Sequence, residues 1–145
     1  MPLEDSIGAL VELKAQGKIR HIGVSNVTEN QLRAAQRLTP IVSIQNRYNV
    51  DDRNSESLVD LCEQEQLVFL PWAPIQNLDG NPAVRAAAGK YGVTPYQVVL
   101  AWLLARSPSI LPIPGTGSVG HLDENVAAAG LQLTPAEVAA ISGLG

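Results

Sequence analysis

Residues 67–73 read LVFLPWA, an apolar run with almost no polar break. A strand with one wet face alternates apolar and polar residues. A run apolar on both sides belongs in a sheet covered on both faces, which is the usual setting of parallel strands. Working outward, a helical pattern over 56–65 precedes this run, and before it comes a second strand, IVSIQNRY (41–48). Earlier still are a helix over 28–38, with Thr28 as its N-cap, and a strand, IRHIGVS (19–25). The chain opens on a helix over 3–15 that Gly17 ends. Downstream, two helices are expected at 84–91 and 96–105, the second behind Thr94-Pro95. A fourth strand, SILPIP (109–114), then leads into helices over 118–128 and 134–141. Helix first, then four strands each followed by helix, predicts an α/β fold with a parallel sheet. No linker or low-complexity segment divides residues 1–145, so they form a single unit.

The bulk numbers narrow the function. The chain has 145 residues, 46% hydrophobic and 17% charged, enough for one domain with a core. A net charge of −4, with scattered Lys and Arg, argues against nucleic-acid or membrane-surface binding. The single cysteine, Cys62, excludes a disulfide framework and a multi-cysteine metal site, and its helical position suits a buried structural thiol. No apolar stretch approaches a membrane span, and the N-terminal MPLEDSIGAL lacks a basic, apolar leader, so a cytoplasmic protein is expected.

Four strands with helices are half of a (β/α)8 barrel, which has eight strands over about 250 residues. The ends of these strands carry the chemistry. Gly23, Ser25 and Asn26 end the first, Gln45 and Asn46 the second, and Trp72 the third. The fourth breaks into Gly115-Thr-Gly-Ser118 and a helix, a turn that offers free backbone N–H groups to an anion. Polar and aromatic residues gathered at one end of parallel strands make a barrel's active face.

GKIRHIGVSN (17–26), IQNRYN (44–49), LPWAPI (70–75) and IPGTGSVGHLDEN (113–125) together resemble the aldo-keto reductase superfamily in order and spacing. The resemblance implies the C-terminal half of a (β/α)8 TIM barrel, four parallel strands alternating with helices. It also implies NADPH as cofactor, with aldehyde or ketone carbonyls as substrates. Ser25, Asn26 and Gln45 would then hold the nicotinamide carboxamide, and Trp72 would stack on the ring. Ala73, Pro74 and Ile75 would line the pyrophosphate path. Gly115, Thr116 and Ser118 would meet the adenosine 2′-phosphate, and Glu124 and Asn125 the adenine. Gly115 and His121 stand where better-known branches grip that phosphate with Lys and Arg. His121 is a weaker clamp, and NADH stays open beside NADPH.

The family's catalytic Asp, Tyr, Lys and His fall on the first four strands of the barrel, and nothing in this chain replaces them. Tyr48 is expected to face the pocket, but no Lys sits at a neighbouring strand end, and His21 reads as a structural residue in mid-strand. Without a positioned acid, about 10²–10⁴-fold in rate is lost. Inactivity in isolation is therefore expected, with an N-terminal half barrel or a second copy of the chain as partner. A non-catalytic nucleotide-binding or interaction module is the alternative, and a complete small α/β domain for another phosphate ligand a third. The substrate is not legible, since only the 75–82 loop contributes to its pocket.

Overall fold

Threonines start three of the helices. Thr28, Thr94 and Thr134 each accept a hydrogen bond from the backbone N–H three residues on, and Gln31, Gln97 and Glu137 reach back to close a capping box. Pro95 and Pro135 follow directly, where a missing N–H costs nothing. Gly17 and Gly92 end their helices at φ 70° and 64°, which only glycine adopts without strain. The computed structural model describes residues 2–76 and 80–143. In chain order the elements are α1 (Leu3–Ala15), β1 (Gly23–Ser25), α2 (Glu29–Gln36), β2 (Ser43–Gln45), α3 (Glu56–Glu65), β3 (Val68–Phe69), α4 (Pro82–Tyr91), α5 (Pro95–Arg106), α6 (Val119–Ala127) and α7 (Pro135–Ile141), with a 3₁₀ turn at Ala128–Gly130.

The strands form a parallel sheet in the order β1-β2-β3, with Val24 opposite Ile44 and Ile44 opposite Phe69. The expectation of four strands needs correcting to three. Residues 109–114 pair with β3 at a single bridge, Phe69 with Ile110. Phe69 N donates to Ser109 O at 2.8 Å and Leu111 N to Phe69 O at 2.9 Å, and the ladder stops there. Pro112 and Pro114 have no N–H with which to continue it.

The helices cover one face of the sheet. Ile22, Val24, Ile44, Phe69 and Ile110 point into that core. Trp102 of α5 completes it, stacked on Tyr48 at 5.8 Å, while Tyr48 meets Phe69 edge-on at 5.8 Å. Tyr48 therefore does not face a pocket. It sits one position out of step with Gln45 and Arg47, on the helix side, fully buried, with its hydroxyl donating to Glu56 at 2.8 Å. His21 also departs from expectation, since it is exposed and precedes β1. Cys62 is buried as expected, and burial together with the Glu65 charge pushes its thiol up to about 12.

Candidate cofactor-binding site

The C-terminal ends of the strands bring the first group of residues together. Asn26 takes the left-handed conformation at φ 54°, which asparagine tolerates, and its N–H donates to Gln45 O at 3.0 Å. Ser25 Oγ donates to the same carbonyl at 2.9 Å. Trp72 leans across from the end of β3, and its Nε1 donates to Asn26 Oδ1 at 2.8 Å. The Arg47 guanidinium lies over the Trp72 ring, 5.6 Å from its centroid. Ser25, Asn26 and Trp72 thus share one polar cluster with the main-chain carbonyl of Gln45.

Two buried asparagines stitch this cluster to the fold: Asn46, read with Gln45 as part of the active face, is instead buried beneath it, and Asn49 was given no role by sequence reasoning. Asn46 Oδ1 accepts from Val27 N at 3.1 Å and its Nδ2 donates to Val27 O at 2.8 Å, fastening the end of β1 to β2. Asn49, 1% exposed, accepts from Asp51 N and Asp52 N and donates to Ala73 O at 2.9 Å, fastening β2 to the loop after β3. Ala73 sits at φ 52°, a strained conformation for alanine that this bond helps hold. The signal was present in QNRYN. Asn46 has the parity of buried Ile44, and a buried amide must be satisfied by neighbouring backbone.

The second group lies at the start of α6. Gly115, Thr116, His121, Glu124 and Asn125 line a cavity of about 260 Å³ together with Ile75. Ser118 caps the helix beside it. Its N–H donates to Thr116 Oγ1 at 3.1 Å, and its hydroxyl accepts from His121 N at 3.4 Å. The first-turn N–H groups of Val119 and Gly120 have no acceptor within the helix, so they remain available to a ligand. Ala73 and buried Pro74 connect the two groups. The cavity has one further wall that sequence reasoning missed, Tyr96 on the first turn of α5. Of the loop expected to touch substrate, residues 77–79 lie outside the described residues.

The strongly perturbed charges sit elsewhere. Burial alone would raise the Glu56 carboxyl, but hydrogen bonds from Arg53, Tyr48 and Arg106 hold it down at about 2. Arg53 also lies over Trp102 at 5.2 Å and donates to Ser142 O at 3.3 Å, so this network ties α3 to α5 and to the end of α7. Among the described residues, no cluster of three or more His, Cys, Asp or Glu could hold a metal ion.

Parallel strands covered by helices on one face, with polar residues gathered at their C-terminal ends, define an α/β protein of the barrel type. The aldo/keto reductase family model matches residues 1–145, and the chain belongs to that family. It is 39% identical over 144 residues to pyridoxine 4-dehydrogenase of Escherichia coli, covering 98% of this chain and 50% of that one. The crystal structure of a thermostable aldo-keto reductase, Tm1743, bound to the inhibitor epalrestat, superposes with a TM-score of 0.91 at 34% identity, over 100% of this chain and 56% of that one. An aldo-keto reductase from Klebsiella pneumoniae in complex with NADPH superposes with a TM-score of 0.86 at 29% identity, over 99% of this chain and 54% of that one. The chain spans about half the length of the curated relatives it matches.

Proposed function

We infer that these residues form the nicotinamide-dinucleotide half of an oxidoreductase that reduces aldehyde or ketone carbonyls. The supporting observation is the joining of Ser25, Asn26, Gln45 and Trp72 at the strand ends, with the α6 cavity at the far end of the Ala73–Ile75 path. The donor set fits NADPH. Ser25, Asn26 and Gln45 offer donors and acceptors to a planar carboxamide, and Trp72, braced by Asn26 and Arg47, offers a rigid ring for stacking. Ala73, Pro74 and Ile75 line the pyrophosphate path. Thr116, Ser118, His121 and the N–H groups from Gly115 onward offer donors to a 2′-phosphate. Glu124 and Asn125 can read the adenine edge. When bound, NADPH supplies the hydride for the carbonyl carbon.

The proton must come from an acid outside this set. Tyr48 is buried in the core, and burial together with its bond to Glu56 keeps its hydroxyl protonated and engaged. We assign that acid to an N-terminal half barrel, which would cover the bare face of the sheet, and expect no turnover from residues 1–145 alone. A second copy of the chain could cover the same face without supplying an acid. A non-catalytic nucleotide-binding or interaction module built on the same half barrel is the alternative.

Fluorescence titration with NADPH, with particle mass measured by light scattering, tests this reading. Binding that weakens about tenfold in Ser25→Ala or Thr116→Ala supports it. Binding unchanged in both variants would remove the assignment.

A further inference from the structure

The adenosine cavity has an unusual charge balance for a phosphate site. No lysine or arginine follows Arg106 in the sequence, whereas Asp123, Glu124 and Glu137 are all acidic. Of the cavity's ionisable walls, Glu124 is a carboxylate and His121 the single basic side chain. A 2′-phosphate would therefore meet the Thr116 hydroxyl, backbone N–H groups and an imidazole, none of them the fixed positive fork that makes phosphate binding strong. The Glu124 carboxylate in the same cavity opposes it by like charge. Tyr96 supplies the missing surface. It is 50% exposed, follows the Thr94 cap and Pro95 at the start of α5, and borders the cavity. A half-bare aromatic ring at a cavity wall is a platform for another flat ring, and stacking is blind to the ribose phosphate.

We propose that Tyr96 is the stacking platform for the adenine, and that this pocket accepts NADH and NADPH with similar affinity because it selects the ring and not the phosphate. The inference deepens the dinucleotide reading above and rests on it. Calorimetric titration of the 145-residue chain with NADPH and with NADH tests it. The two dissociation constants should lie within about tenfold of each other. Tyr96→Ala should weaken both by roughly tenfold, and Tyr96→Phe, which keeps the ring, should restore both. His121→Arg should tighten NADPH by about tenfold and leave NADH within about twofold, by supplying the missing charge. A preference of the unmodified chain for NADPH beyond about a hundredfold overturns the proposal. So does Tyr96→Ala leaving both affinities unchanged, and in either case the dinucleotide reading stands. Failure of both dinucleotides to bind overturns both.

Discussion

Val68 and Phe69 are neighbours in β3, yet Phe69 is 0% exposed and Val68 39%. The same contrast runs across the sheet. Val24, Ile44, Phe69 and Ile110 enter a core that this chain completes by itself with Tyr48 and Trp102. Gly23, Ser25, Val68, Leu111 and Ile113 point the other way and are exposed. That face is not built for water, because Leu111 and Ile113 are bulky branched residues of the type that fill barrel interiors. One pleated surface thus divides two duties. The helix side holds the fold, and the other side, with its polar upper rim, stays exposed.

Substitutions on either side should expose that division, and the largest effect should come from β3. Phe69→Ala should cost about 3–5 kcal/mol in urea denaturation, by lost transfer energy and a cavity beside Tyr48. Val68→Ala should cost under about 1 kcal/mol. Equal losses would mean that the exposed face contributes to folding as much as the core does.

Asn46→Ala sits on the boundary and should show both effects. It removes the partners of Val27 N and Val27 O, so a stability loss of about 1–3 kcal/mol is expected. Dinucleotide affinity should fall with it, since Ser25 and Asn26 lose their anchor. Full retention of affinity would separate the buried stitch from the site.

The smallest of the three effects belongs to Glu56 and is one of pH. Its carboxyl is depressed from 4.5 to about 2 by Arg53, Tyr48 and Arg106 against the opposing pull of burial. A depressed carboxyl adds stability that is fully present above its unfolded value and is lost as the pH falls through the folded one. Wild-type stability should therefore drop between pH 4.5 and about 2. Glu56→Gln should flatten that window. An unchanged slope in the variant would show that the ion-pair cluster is not what acid disrupts.

How far the sequence carried each of these regions follows from the range of its signals. Helix bounds were legible because caps are local. Thr28, Thr94 and Thr134 announce themselves within four residues, and α1 and α3 begin and end where the pattern places them. The family was legible because four motifs keep their order. Strand ends were less so, since pairing depends on partners far along the chain, and LVFLPWA forms a regular strand at Val68–Phe69 with one further bridge at Trp72. Tyr48 was misread because IQNRYN alternates through Gln45 and Arg47. The tyrosine falls on the opposite parity, where only Trp102, distant in sequence, reveals a core. Tyr96 was missed for a related reason. It borders the cavity through the meeting of α5 with the start of α6, which no local pattern records.

Residues 109–114 close the longest loop of the sheet. Gly23 meets Ser43 and Ser43 meets Val68 across shorter spans of chain than the one between Phe69 and Ile110. Each doubling of a closed loop adds about 0.6 kcal/mol of entropy cost. This longest closure is repaid by two backbone hydrogen bonds before the prolines end the ladder. The turn from Gly115 to Ser118 hangs directly from that weakest seam. A ligand seated there would therefore act as a clasp, closing the sheet from outside at the point where its own ladder runs out.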